Sequence, residues 1–470
     1  MSLKLDTILS GYPLLRKDIL LYEDKGLALL VNPYREGPQK LTYVSKNEAL
    51  LFRQLAGNCK VKDLCRRLPM EKAEIMTLLK RWSGADQNAV RFLRVPIKKE
   101  QAVITRQAKD MAILSNYRAE VRSAEQASQD NGLAIKQYHR VKIRGALEQF
   151  ENIEMTVSHF FRIPHAILGG KNYGASFCDI LMRRGALKKG ARILEVGGGT
   201  GIFAMSFLDQ LQKASPKAYK SCTYALLDIS PVLLEAQRKM LKPHRRLTRF
   251  VRGDIESKAF VKATFDLIIS NEMIADLTAV KLTRADIKKD ISLSKIKNKA
   301  CSLIREFKIT VSDAPQEFMF NLGAVGFLKT VKKILKPKGE AYIVEYGNRW
   351  SYPRAAYLKG HAEYSIHFGH LAQAAGKLGL NPVITSLLDF FPFDRAAAIM
   401  TSASYDGIKN CLLPFLGLPP MPDIPYTEDA MRKYGGEFFN RLSFVGLTRL
   451  GEGEHELDPA GFLVLNLKSE

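Results

Sequence analysis

From Lys189 onward, short apolar runs alternate with stretches of helical period. ARILEVG reads as a strand and is followed by a helical segment, GIFAMSFLDQLQKA. CTYALLDIS, a second strand, precedes the helical PVLLEAQRKML. TRFVRGD and FDLIISNEM are further strands, the latter ending in polar residues. FLKTVKKIL then predicts a helix, KPKGE a turn and AYIVEYG a strand. Apolar runs separated by helices predict a parallel sheet covered on both faces, an α/β doubly wound, Rossmann-like domain. Ligands of such sheets bind beyond the carboxyl ends of the strands.

The first hundred residues have a different pattern. ILLYED and LALLVN, broken by Lys25 and Gly26, predict a hairpin, and LTYV predicts a third strand. Ser45 with Glu48 three residues later is a capping-box signature opening SKNEALLFRQLAG, and Gly57 is the expected stop. VKDLCRRL and EKAEIMTLLKRW predict two short helices and VRFLRV a closing strand. The order describes a small α+β, winged-helix-like domain over 1–100. Read as a DNA-recognition helix, EKAEIMTLLKRW offers only Lys72, Lys80 and Arg81 against Glu71 and Glu74, a poor set for groove reading. Residues 101–160 read as a helical linker with a break at SAEQASQDNG, and 161–470 as the main domain. Gly169, Gly170 and Gly174 mark a close-lying loop at the start of that domain.

Composition adds constraints on partners. The chain has 470 residues, enough for more than one domain, with 46% hydrophobic and 25% charged residues. No apolar run has membrane-spanning length, and the N-terminus lacks the apolar core of a secretion signal, so a cytoplasmic protein without a membrane partner is expected. The six cysteines form no CxxC pair and are expected as reduced thiols. A net charge of +23 attracts anions without choosing among nucleic acid, acidic protein and lipid. Part of the excess is local: between Lys281 and Thr310, nine Lys and Arg face three Asp and Glu, a basic insertion at about 278–315. It reads as helical, with Leu282, Ile287, Ile291 and Ile296 on one side and a solvated face opposite.

The strand–turn–helix ILEVGGGTGIFA carries the most specific chemistry. A P-loop needs Lys and a hydroxyl after its last glycine, and here Ile202 and Phe203 follow. A dinucleotide turn needs GxGxxG, whereas Gly197, Gly199 and Gly201 are spaced GxGxG and Ile202 takes the third glycine's place. S-adenosylmethionine needs no anion cradle. Its ribose, ammonium and sulfonium favour carboxylates, and successive strands end in them: Glu195 before the glycines, Asp228 after the second strand, Asp254 after the third, Asn271 and Glu272 after the fourth. One such acid is readily a helix cap; four in strand order form a constellation.

LEVGGGTG…LLDIS…GDIE…FDLIISNEM resembles the class I S-adenosylmethionine-dependent methyltransferases. That resemblance implies cofactor contacts from Glu195, Gly197, Gly199, Gly201, Asp228, Ile229, Asp254, Ile255 and Asn271. ISNEMIAD resembles the SNE motif of the MidA-like methyltransferases, a family that includes a mitochondrial arginine methyltransferase; EYSIHFGHLAQAAGKLGL and MRKYGGEFFNRLSFVGLTR resemble its later segments. After SNE the chain departs from that family, with Met273-Ile274-Ala275-Asp276-Leu277-Thr278 in place of an aromatic residue and Asp-Ala-Leu-Pro. SKNEALLFRQLAG…VKDLCRRL resembles the PqqD-type peptide-recognition domain, in which a peptide adds a strand to the sheet edge.

Methyl transfer needs orientation and desolvation of the nucleophile. A guanidinium or amine acceptor needs a carboxylate, and Glu272, with Asp276 second, is placed for that role. His361, His367 and His370 cluster without HExxH or a nearby cysteine, so no metal is expected; His367 is the candidate base, with Glu363 and Glu345 expected to share its crevice. The expected activity is N-methylation of a protein or peptide, arginine favoured. A nucleic-acid methyltransferase and a non-catalytic cofactor-binding assembly factor are the alternatives.

Overall fold

The computed structural model describes residues 10–93 apart from short gaps, 105–107, 136, 138–142, 157–257, 264–400 apart from short gaps, parts of 427–447, and 461–469. The SAEQASQDNG break, Ile291 and most of MRKYGGEFFNRLSFVGLTR lie outside the described residues. The described residues fall into two compact units, one drawn from 1–122, 400–422 and 428–444, the other from 123–399, 423–427 and 445–470. The expected main domain of 161–470 is therefore not one continuous unit.

In the first unit, β1 (Tyr12–Leu15) pairs antiparallel with β5 (Val90–Leu93), and β2 (Leu20–Asp24), β3 (Leu27–Val31) and β4 (Leu41–Val44) form an antiparallel meander. Three helices, α1 (Lys46–Arg53), α2 (Val61–Arg67) and α3 (Lys72–Ser83), lie between β4 and β5 in sequence. Ser45 and Glu48 form the reciprocal capping box at α1. Glu48 is buried because its Oε1 also accepts from Trp82 Nε1 at 2.9 Å and pairs with Arg81. Ile75, Met76, Leu79 and Trp82 turn the apolar face of α3 into the core. The first domain does not stop at 100, and 101–160 is not uniformly helical: β6 (Thr105–Gln107) pairs in parallel with β2 and satisfies its free edge.

The second unit opens with α4 (Tyr173–Arg183) and β7 (Arg192–Val196), followed by α5 (Ile202–Ala214), β8 (Thr223–Asp228), α6 (Pro231–Met240), β9 (Thr248–Arg252) and β10 (Phe265–Asn271). The basic insertion follows. Its β11 (Val280–Thr283) pairs with β12 (Glu317–Phe320) around α7 (Lys295–Glu306). Ala300, Cys301, Leu303 and Ile304 pack α7 into the central core, while Lys295 and Lys299 stay exposed. Then come α8 (Leu322–Ile334), β13 (Leu335–Asn348), α9 (Phe368–Lys377), β14 (Leu380–Ser386) and β15 (Phe462–Ser469). The expected KPKGE turn falls inside the range of β13 as a bulge: Leu335 and then Glu340 onward are in register with β10, and the four residues between them are not. There the register to β10 shifts between Phe265 and Leu267, and Lys338 takes φ 59°.

The main sheet is eight-stranded, in the order β14–β15–β13–β10–β7–β8–β9, with Ile366–His367 pairing beside β13. β7 to β10 and β13 run parallel, and β15 is antiparallel to both its neighbours. The expected doubly wound Rossmann-like arrangement is present. The order reverses between β7 and β10, which opens a crevice at their carboxyl ends.

Candidate active site

A cavity occupies that crevice. Its lining brings together Glu195, Gly197, Gly199, Asp228, Ile229, Asp254, Ile255, Asn271, Glu272 and Asp276. Two predicted residues are not in the lining. Gly201 forms the N-cap of α5 at φ 90°. His367 is the N-cap of α9: its Nδ1 accepts from the His370 backbone N–H at 3.2 Å. Its ring stacks on His370 with centroids 3.6 Å apart, and burial holds its pKa down at about 4. Pairing of Ile366–His367 with the end of β13 commits His367 to that cap, so it is not a base for the cavity. Glu345 is behind the cavity, its oxygens taken by the Ala275 and Tyr346 N–H groups.

The glycine turn is shaped by close approach. Gly197 has φ 72°, and a Cβ there would sit 2.3 Å from Met273 Cγ. Asp228 ends β8 fully buried; one oxygen accepts from Ser230 N at 2.8 Å and the other from Gln237 Nε2 at 2.9 Å. Gln237 Nε2 also reaches the Gly199 carbonyl at 2.9 Å, tying the turn to the acid. Burial pushes Asp228 up to about 6 and Glu195 up to about 7; Glu195 accepts the Tyr224 hydroxyl at 2.8 Å.

At the other end, Glu272 has φ 52°, a left-handed conformation strained for a non-glycine residue. Its Oε2 accepts Val157 N–H at 2.6 Å and its Oε1 accepts Ser158 N–H at 3.0 Å and Asn271 Nδ2 at 2.9 Å. Burial pushes its pKa up to about 7 against these hydrogen bonds. Tyr173 Oη donates to Asn271 Oδ1 at 2.7 Å, fixing the amide. Reading the sequence did not single out Gln237, Tyr173, Lys136 or His139. Gln237 carried a signal, a polar residue on the apolar face of PVLLEAQRKM beside Leu233 and Leu234.

The donor set fits S-adenosylmethionine. The lining offers the carboxylates of Glu195, Asp228 and Asp254, acceptors of the kind that ribose and ammonium groups take, Ile229, Ile255 and Leu277 supply apolar lining, and no lysine follows the glycines to hold a phosphate. Residues 173–377 match the model of a family described as "Putative S-adenosyl-L-methionine-dependent methyltransferase". By that match this unit carries an S-adenosylmethionine-dependent methyltransferase region, with S-adenosylmethionine as its cofactor. A 107-residue stretch is 30% identical to a highly reducing polyketide synthase of Penicillium rubens, covering 22% of this chain and 4% of that one. A second such synthase, from Alternaria alternata, is 30% identical over 114 residues, 24% of this chain and 4% of that one. The chain thus spans a small fraction of these curated relatives. Among solved structures, a Burkholderia thailandensis protein bound to S-adenosyl-homocysteine is 13% identical with a TM-score of 0.39, covering 76% of this chain and 94% of that one. A TehB-like S-adenosylmethionine-dependent methyltransferase of Corynebacterium glutamicum is 19% identical with a TM-score of 0.27, covering 48% and 84%. Among the described residues, no helix is long and apolar enough to cross a membrane, and no cluster of His, Cys, Asp and Glu has metal-binding geometry.

Proposed function

We propose that this chain transfers a methyl group to a nitrogen of a protein or peptide, with arginine the favoured acceptor. One observation carries the reading: Glu272 and Asp276 face the cavity together beyond β10, with buried Glu345 behind them. Burial first, and then repulsion from Glu272 and Glu363, raise Glu345 well above the usual carboxylate range, and a cationic acceptor would offset that repulsion. Bound S-adenosylmethionine supplies the methyl group. Glu272, aimed by the Val157 and Ser158 amides, would hold the guanidinium in line and take up the proton that the nitrogen loses. The resemblance of ISNEMIAD to the MidA-like family supports the same acceptor. The resemblance of the first unit to peptide-recognition domains supports a peptide substrate, and a cytoplasmic setting is part of this proposal.

The test is transfer of labelled methyl from S-adenosylmethionine to arginine-containing peptides, run beside calorimetric titration of S-adenosylhomocysteine. Glu272→Gln is expected to lose transfer and keep binding; Asp228→Ala is expected to lose both. Unchanged transfer in Glu272→Gln would end this assignment. Binding without any transfer would favour the assembly-factor alternative. One observation favours a second reading, a nucleic-acid acceptor: between Arg238 and Arg252 seven Lys and Arg are exposed with no Asp or Glu among them. That reading requires binding that weakens steeply with salt.

A further inference from the structure

The cavity has a wall that the family-matching region does not supply. Lys136 and His139, from the short segment that precedes it, are part of the lining. Lys136 Nζ lies 2.9 Å from Asp254 Oδ2 and 2.7 Å from Glu256 Oε2. Arg140 joins Asp254 Oδ2 at 3.2 Å, and His139 Nε2 lies 3.1 Å from Asp276 Oδ2. Tyr138 is buried against Leu233 at the start of α6. The segment therefore comes down on three places: the acid after β9, the helix after β8 and the acid after β10. It spans the cavity from the side where the adenine is expected to the side where methyl transfer is expected.

From this we infer that Lys136 and the Tyr138–Lys142 turn form the outer wall of the cofactor site, and that Lys136 and His139 are binding residues that retain S-adenosylmethionine beneath it. The inference rests on the cofactor reading of the cavity. The side chains of Asp254 and His139 are only 9% and 11% exposed, so these contacts are better shielded than surface ion pairs. Lys136 faces two carboxylates, so its charge is neutralised before a cationic sulfonium arrives nearby. Burial pulls the proton off His139, and Asp276, Asp228 and Glu363 more than offset it, which keeps the contact with Asp276 charged to higher pH than an ordinary histidine allows.

The experiment measures release of labelled S-adenosylhomocysteine from the full chain into excess unlabelled ligand. Wild type is compared with Lys136→Ala, His139→Gln and a control, Lys281→Ala, which breaks an exposed pair with Glu317. Release at least threefold faster in both wall variants, with the control unchanged, supports the wall. Wall variants that release within threefold of wild type, while melting at the wild-type temperature, would overturn it. If Lys136→Ala melts lower, Lys136→Gln takes its place, keeping a polar side chain without the charge. Hydrogen exchange gives an independent reading: S-adenosylhomocysteine should slow exchange of the Tyr138–Lys142 amides, and no slowing counts against the wall. Failure of wild type to bind S-adenosylhomocysteine would overturn the cofactor reading itself, and the wall with it.

Discussion

Backbone geometry at single positions decides whether this cavity exists. Gly197→Ala would place a methyl group inside the van der Waals radius of Met273 at a positive φ. The expected result is a loss of about 1–3 kcal/mol in stability and weaker S-adenosylhomocysteine binding, checked by urea unfolding and calorimetry on the same preparation. The glycines and the acids ending the strands were readable from sequence because each sits at a fixed offset from an apolar run. Gln237 was harder: its partners Asp228 and Gly199 lie on other elements, and only its place on an apolar face hinted at them. His367 misled because histidines spaced three apart suggest shared chemistry, whereas here the spacing serves a helix cap.

At the scale of elements, the basic insertion is not helical throughout, since Leu282 lies in β11; α7 packs four residues into the central core and β11–β12 fasten the insertion at both ends. Ile304→Ala is expected to cost about 2–4 kcal/mol, measured by urea denaturation, with cofactor affinity of the folded protein unchanged. Lys299→Glu on the exposed side is expected to stay within about 0.5 kcal/mol of wild type. Strands and helices from Arg192 to Asn271 were legible because each is a local pattern. The wall over the cavity was not, since Lys136 finds Asp254 across 118 positions of sequence. Lys-Pro-Lys-Gly keeps its turn chemistry inside β13: the register to β10 passes from Leu335 to Glu340, and the four residues between them bulge out of it.

For the whole molecule, the buried acids make stability and ligand binding respond oppositely to pH. Burial pushes Glu195 and Glu272 up to about 7 and Asp228 up to about 6. In the unfolded chain these groups ionise near 4.5 and 3.8. Between those values and the folded ones, the native state holds protons that the unfolded chain has released. Stability therefore falls as pH rises through this window, by about 3 kcal/mol per group. A cationic cofactor favours the ionised acids, so its binding should expel protons and tighten from about pH 5.5 to 7.5. Titrations with S-adenosylmethionine at pH 6.5 in buffers of different ionisation enthalpy would show the release; proton uptake would contradict it.

The position of β15 sets the order in which this molecule can be made. Residues 462–469 fill the slot between β13 and β14, pairing Ala341 with Leu467 and Val383 with Asn466. While a ribosome is still working toward residue 462, β13 and β14 each carry an unpaired edge flanked by apolar side chains. Nascent chains of this protein would therefore wait, half of the sheet open, for a strand made long after its neighbours. Such distant pairing slows folding and exposes edges to other chains. A chain stopped at 460 is expected to go to the insoluble fraction, and supplying 461–470 as a separate peptide during refolding is expected to recover soluble protein.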